Sequence, residues 1–553
     1  MSAPLVPVPL ARGARGAVVA PHHLATAAGL TILAQGGSAV DAAIATNAVL
    51  AVVMPNGCGI GGDAFWLIWD AATSQQLALN GSGRSAAGAD AAGLRARGLE
   101  TLPMRGGLSV TVPGAVRSWG DAHARFGRLD RATILAPAIE QARQGFPAWD
   151  EFIDAVEQTA DVLAREGIPA AGFGAVFRPH GRPWRPGELV QLPALAATLE
   201  HLAEDGFDAF YDGELAERQA RALAAAGCAI TASDLAAHRS TWTEPIGTTY
   251  RGVRVTTHPP NSSGIVALEI LNILERFEPS ATADGRAAWI HLGIEASKLA
   301  MAERDYHLTD PDFADIPVQM LLDKAHAAEL ARLIDPARAS RPVATTSPRG
   351  GDTVYLATVD AEGNAVSLIE SNYRGFGSGV VDPSTGIHYH NRGSYFSLRA
   401  DHPNVLAPGK RTLHTLLPGM LFREGSGRAA PWVVLGSMGG DAQAQIHAQV
   451  VSGLVDEQLD ILTAVSAPRW FVEPADHFTP PVEVRAEPRF GPAVLAELGA
   501  MGHPVTSMEP FDSALGHCHA IQLVDGGPRR IAGRRGSLAA ATDPRSAGLP
   551  AVR

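Results

Sequence analysis

Near residue 350 the texture of the chain changes, and that change restricts the folds open to it. Upstream, roughly residues 115–345 read as mostly helical, including LPALAATLEHLAEDG, LAERQARALAAAG and the segment from Ala287 to Tyr306. This half ends in RPVATTSPRGGD, a Pro/Gly/Ser/Thr-rich run with the character of an exposed linker. Downstream, TVYLATVDAEGNAVSLIES reads as two strands joined as a hairpin through Ala361-Glu362-Gly363-Asn364. Strand patterns recur in TLLPGMLF, WVVLGS and HAIQLVDGG, and helices are fewer, over Asp441–Ser452 and Pro492–Met501. Hairpin-paired strands with helical layers before and after predict an α+β layered sandwich rather than alternating βαβ units. At 553 residues the chain exceeds one ordinary core, so several core-forming units are expected.

The first seventy residues carry their own signals. Residues 1–20 read as a flexible lead-in, and HHLATAAGLTILAQGG reads as a helix ending at Gly36-Gly37. Ser38 followed by Asp41 predicts a capping box with Asp in place of Glu. It opens an Ala-rich helix over Ala39–Val53, apolar nearly all round and therefore buried. The most apolar stretch, Ala42 to Met54, is too short to span a bilayer. Two arginines and several prolines interrupt the N-terminus, which lacks the apolar region of a signal peptide, so a soluble cytoplasmic protein is expected. In PNGCGIGGDAFWLIWD, Gly57, Gly59, Gly61 and Gly62 form a tight loop before a strand, Ala64–Asp70, buried on both faces.

Composition excludes several classes of function. A formal net charge of -12 repels phosphate backbones and argues against nucleic-acid binding. Cys58, Cys228 and Cys518 are too few and too scattered for a disulfide framework or a zinc pattern. His22-His23 and His517/His519 have no carboxylate at useful spacing and read as exposed or core histidines. Asp305, Asp310 and Asp312 read as capping and surface charge. No nucleotide, metal or other cofactor is implied.

Two junctions have chemical potential. A threonine opening a strand directly after an exposed Gly-Gly-Asp suits N-terminal-nucleophile chemistry. The Thr353 hydroxyl attacks the preceding carbonyl, cuts the Asp352–Thr353 bond, and leaves an α-amine, of reference pKa about 7.7–8.0, to act as base for the same hydroxyl. On spacing alone, an ordinary strand-opening threonine explains the motif more simply. The second junction is Gly436-Ser437-Met438-Gly439-Gly440, between a strand and a helix. Its paired glycines can aim two backbone N–H groups at an anion, as an oxyanion hole requires, although a plain helix-starting turn looks the same.

Taken in order, SAVDAAIATNAVLAVVMPNGCGIGGDAFWLIWD, SVTVPGAV, HPPNSSGI, GDTVYLATVDAEGNAVSLIESNYRGFGSGVV and LGSMGGDAQAQI resemble the gamma-glutamyltranspeptidase family of N-terminal-nucleophile hydrolases, from about Gly16 to the terminal DPRSAG. The resemblance implies a four-layer αββα sandwich. It also implies maturation into a large subunit, 1–352, and a small, nucleophile-bearing subunit, 353–553, with further dimerisation left open. Thr353 matches the nucleophile, Gly439 and Gly440 match the oxyanion glycines, and Asn391 matches an asparagine at the pocket edge. Ser371 stands where the family has a second threonine that hydrogen-bonds the nucleophile.

The donor pocket departs from the pattern. Tyr373, Arg392 and Tyr395 stand where gamma-glutamyl enzymes hold the donor's α-amine with Asn, Gln or Glu, and Asp. Losing the Asp removes the counter-charge of an ammonium, and Arg392 repels one. His414-Thr415 replaces a Ser-Ser pair that grips the α-carboxylate, and Arg84 lies about two places out of register with the family arginine. Arg392 suits either a carboxylate on the acyl side or a structural salt bridge. The motif NRG…FSL with GDTVY resembles a divergent branch that includes oxamate amidohydrolase and cephalosporin or glutaryl acylase-like members. The resulting expectation is a threonine-nucleophile hydrolase of small amides with a carboxylate-bearing acyl group. The alternatives are a gamma-glutamyl hydrolase or transpeptidase acting on glutathione-like amides, and a binding protein that never matures. Partners are a small-molecule amide and the two halves of one precursor, with neither nucleic acid nor membrane.

Overall fold

The computed structural model describes residues 9–279, 285–340, 352–423, 430–473, 483–528 and 536–553. The linker expected at RPVATTSPRGG lies outside the described residues, as does the start of the lead-in.

Two seven-stranded sheets form the middle of the molecule. One runs, edge to edge, Ala551–Val552, Ala17–Val19, Asp352–Val359, Ala365–Tyr373, Asp63–Asp70, Gln75–Gly81 and Thr241–Thr243. The other runs Ala11–Gly13, Ser537–Ala541, Cys518–Val524, Val433–Ser437, Gly419–Arg423, Val253–Thr257 and Ile246–Tyr250. Two short strands thus occupy the stretch read as a flexible lead-in. Ala17, Val18 and Val19 are fully buried, and Ala17 to Val19 pair with Val359 to Ala357.

The layers follow from strand alternation. Phe65, Leu67, Trp69, Tyr355 and Ala357 point between the sheets and meet Met420, Val434 and Ile521. Their neighbours Trp66, Ile68, Val354 and Leu356 point outward into a core shared with the helices His23–Ala34, Ala39–Val53, Arg131–Gln144 and Pro193–Asp205. This period of two, apolar on both faces, explains why these strands read as continuous hydrophobic runs. On the far side, Val255, Leu421, Val433 and Leu435 pack against Gly264–Leu274, Arg286–His307 and Gln443–Val455. The order is helix, sheet, sheet, helix: the expected αββα sandwich. Each fully buried Leu or Val contributes about 1.5–3 kcal/mol relative to exposure.

Local signals correspond to local structure. The Ser38 hydroxyl accepts from Asp41 N at 3.1 Å, and the Asp41 carboxylate accepts from Ser38 N at 2.8 Å, closing the capping box. All fifteen residues of Ala39–Val53 are buried. The hairpin turn is held by the Asp360 carboxylate, which accepts from Glu362 N and Asn364 N at 3.0 and 2.9 Å. Among the described residues no helix is long and apolar enough to cross a membrane.

Candidate active site

Thr353 is the second residue of its strand, and the register breaks there. Asp352 pairs with Tyr373 and Val354 with Glu370, so Thr353 faces two residues, Ser371 and Asn372. Such a bulge re-aims side chains, here bringing two hydroxyls together. The Thr353 Oγ1 lies 3.0 Å from Ser371 Oγ and 2.7 Å from the Asp352 carbonyl oxygen. Ser371 Oγ donates to that same carbonyl at 2.7 Å and accepts from Tyr373 N, also at 2.7 Å. The single Thr353 proton can run toward Ser371 while the Ser371 proton polarises the Asp352 carbonyl. Thr353 is only 2% exposed. The Asp352 carboxyl is raised by burial, against the opposing pull of the Gly375 N–H and of Arg105.

Beside this pair lies a buried cation. Arg392 is 1% exposed, with its guanidinium carbon 4.4 Å from the Tyr373 ring centroid and 5.4 Å from that of Tyr395. Nη1 donates to the Thr415 hydroxyl at 3.0 Å, while Nε and Nη2 are buried without a hydrogen-bond acceptor. Among the described residues no carboxylate forms an ion pair with it, and burial lowers its pKa. Tyr373 holds a φ of +76° to reach its place, a conformation that bulky residues rarely adopt.

The glycine pair joins the same region from the second sheet. Gly436 lies directly over Tyr355, where a Cβ would come within 2.2 Å of the ring, so this strand packs closely on the strand that carries Thr353. The chain then passes through Gly439 at φ +142° and Gly440 at φ +55°, conformations that favour glycine, into a short turn and the helix Gln443–Val455. Asp441 anchors this corner. Its carboxylate accepts from the Tyr395 hydroxyl at 2.8 Å and from Arg304 Nη1 at 2.5 Å. The Tyr395 and Tyr373 ring centroids are 4.8 Å apart, which connects the glycine corner to Ser371.

Other expected residues stand in different relations to this centre. His414 is fully buried, with Nε2 3.3 Å from Asp63, and Asp63 pairs in register with Ser371. Burial and the nearby Arg392 hold the His414 imidazole well below its usual range. Asn391 is occupied structurally, donating to the Met104 carbonyl at 2.8 Å and accepting from Arg374 N at 3.2 Å. Arg84 offers no free guanidinium, because it is paired with Asp310 at 2.9 Å and Asp312 at 2.7 Å. Those two aspartates therefore serve as its counter-ions, while Asp310 also accepts from Asp312 N at 3.1 Å and Asp312 remains a surface charge.

Several site residues escaped the sequence reading: Asp63, Asp441, Arg304 and Arg105. Asp441 follows the glycine pair directly and was readable only as a helix start. Arg105 reaches from a distant loop to the carbonyls of Arg374 and Gly375 at 2.8 and 2.5 Å, fixing the turn after Tyr373.

The chain is 39% identical over 520 residues to the glutathione hydrolase-like YwrD proenzyme of Bacillus subtilis, covering 93% of this chain and 96% of that protein. It is 39% identical over 548 residues to the oxamate amidohydrolase proenzyme of Klebsiella pneumoniae, covering 97% and 98%. Among solved structures it superposes on a cephalosporin acylase from Bacillus halodurans with a TM-score of 0.89 and 37% identity, covering 100% of this chain and 99% of that one. The family model described as gamma-glutamyltranspeptidase matches residues 25–552, and the chain belongs to that family.

Proposed function

We propose that this member of a hydrolase and acyltransferase family is a self-processing amidohydrolase, with Thr353 as nucleophile and a small amide bearing a carboxylate on its acyl part as substrate. The observation that carries the substrate class is Arg392, a buried guanidinium whose Nε and Nη2 lack an acceptor and which has no ion-pair partner among the described residues. Burying an unpaired cation costs several kcal/mol, and an incoming carboxylate offsets that cost while supplying bidentate geometry. The carboxylate beside Tyr395, Asp441, is already engaged by Arg304 and Tyr395 itself, which leaves it poorly placed to hold an α-ammonium.

The hydroxyl chain supports the processing step. Thr353 Oγ1 passes its proton toward Ser371 and attacks the Asp352 carbonyl carbon, whose oxygen Ser371 polarises. The C–N bond breaks, the nitrogen takes a proton, and water hydrolyses the resulting ester. This yields a large subunit, 1–352, and a small subunit, 353–553. In turnover the freed α-amine accepts the Oγ1 proton and Oγ1 attacks the substrate amide. The N–H groups of Gly439 and Gly440 stabilise the oxyanion, and the proton leaves with the amine. Water then releases the acid from the acyl-enzyme. The proenzyme names of the two curated relatives, and the oxamate amidohydrolase name in particular, favour this reading over a non-maturing binding protein.

The test is intact-mass analysis and N-terminal sequencing, followed by assay on oxamate, succinyl and glutaryl amides beside gamma-glutamyl-p-nitroanilide with and without glycylglycine. Two fragments, the smaller starting Thr-Val-Tyr-Leu, with turnover of the acidic amides, are expected. Efficient gamma-glutamyl transfer with no turnover of the others would replace the substrate assignment. A folded, uncut, inert chain would overturn the enzyme reading.

A further inference from the structure

Outside the nucleophile region, the outer helical layer contains a group of side chains that the reaction above does not use. Glu269 on the helix Gly264–Leu274 is 1% exposed, and neither of its carboxylate oxygens has a hydrogen-bond partner. Facing it are Glu303, from the helix Arg286–His307, and His326, from the helix Lys324–Ala331, whose Nε2 likewise makes no hydrogen bond. The ligand atoms of these three residues all lie within 4.8 Å of one another. Glu303 Oε2 is 3.6 Å from His326 Nε2 and 3.7 Å from the Nε2 of His307, which stands one turn along the same helix and approaches the group through Glu303.

We propose that Glu269, Glu303, His307 and His326 form a binding site for a divalent transition-metal ion, of the zinc, cobalt or manganese class. Donor bonds of about 2.1 Å around a tetrahedral ion give ligand–ligand edges of about 3.4 Å, and the two separations from Glu303 to the imidazoles, 3.6 and 3.7 Å, stand near that value. Two imidazoles and two carboxylates form a mixed nitrogen–oxygen set of borderline hardness, and the two carboxylates neutralise the ion. Glu303, His307 and His326 are each about one-fifth exposed, giving an entry path, with Glu269 as the buried floor. Burial and the neighbouring Glu303 hold the Glu269 carboxyl well above its usual range, so binding displaces a proton from it. The ion would also fix the end of the helix from which Arg304 reaches Asp441. No spacing motif announces the site, since its donors come from three helices.

A second cluster, His291, Glu295 and His503, does not carry the same inference. Its groups satisfy one another: His291 and His503 are hydrogen-bonded at 2.8 Å, and Lys298 occupies Glu295 at 2.6 Å. It serves instead as the control.

The experiment titrates chelator-stripped, full-length protein with Co2+ near pH 7.5, followed by visible absorption and calorimetry, with Zn2+ as competitor. One saturable equivalent, displaced by Zn2+ and accompanied by a rise in Tm, is expected. Glu269→Gln and His326→Ala should each weaken Co2+ binding by roughly tenfold or more, while His503→Ala leaves it unchanged. Anomalous scattering from Zn2+-soaked wild-type crystals should place the ion between the three helices, a readout independent of any variant's folding. The absence of saturable Co2+ binding by the wild type would overturn the proposal. So would affinity unchanged in both ligand variants, or anomalous density at His291 and His503 instead.

Discussion

Thr353 and Arg392 make separable demands on the residues around Tyr373. Thr353→Ala removes the one hydroxyl proposed to act in both cutting and turnover, so an intact, inactive chain is expected by mass spectrometry, whereas Thr353→Ser should still cut. Ser371→Ala leaves the Thr353 hydroxyl but takes a donor from the Asp352 carbonyl. Slowing of processing by roughly tenfold to a hundredfold is expected, read as the uncut fraction on a gel over time. An unchanged rate would remove Ser371 from the step. Arg392→Ala should raise KM for acidic acyl groups by roughly tenfold to a hundredfold, the value of a hydrogen bond to a charge, and leave neutral amides alone. It should also leave Tm level or raised, because an unpaired buried cation is relieved rather than a salt bridge broken. A clear fall in Tm would reassign Arg392 to structure. Thr353, Ser371 and Arg392 were legible because each lies inside a contiguous motif. Asp63 was not, because it approaches Ser371 only through the register of two strands some three hundred residues apart in sequence.

The glycine corner depends on backbone conformation as much as on composition. At φ +142° an alanine in place of Gly439 is strained, and its Cβ would meet Ile446 Cδ1 at 2.9 Å. Gly439→Ala should therefore tilt the N–H away from its target and lower kcat by roughly a hundredfold, with a Tm loss of only a few degrees. Wild-type kcat in that variant would clear the corner of an oxyanion role. Elements of this kind differ in how openly the sequence displays them. The helix Ala39–Val53 was readable from its cap and its uniform apolarity, and the hairpin around residue 360 from its turn. The three-residue strands Ala11–Gly13 and Ala17–Val19 were not, because they are too short to show a period and form only where long-range partners wait for them.

At the scale of the whole molecule, buried titratable groups set an acid limit. Burial lowers His238, His258, His414, His447 and His519 to about 3, and His388 and His517 to about 4. The unfolded chain takes up protons that the folded one refuses, so stability is lost as pH falls below about 6.5, by about 1.4 kcal/mol per such histidine at pH 5.5. Glu370, raised to about 8, and Glu151, raised to about 7, both chiefly by burial, act oppositely and return stability as pH falls through those values. A Tm maximum near pH 6.5–7 is expected in scanning fluorimetry, and a flat profile down to pH 5 would mean that these histidines are hydrated. The sheets impose a further condition. Strand order is non-local and could not be read from the sequence, yet both sheets interleave segments from either side of the Asp352–Thr353 bond. In one sheet, Asp352–Val359 sits between Ala17–Val19 and Ala365–Tyr373, which in turn pairs with Asp63–Asp70. In the other, Gly419–Arg423 pairs with Val253–Thr257, and Ser537–Ala541 with Ala11–Gly13. Cutting one peptide bond at a strand's first residue removes none of these ladders or the core between the sheets. The two fragments should therefore elute as one species on size exclusion in native buffer and part only in denaturant. Separation under native conditions would mean that the halves are independent cores, contrary to the interleaved order of the strands.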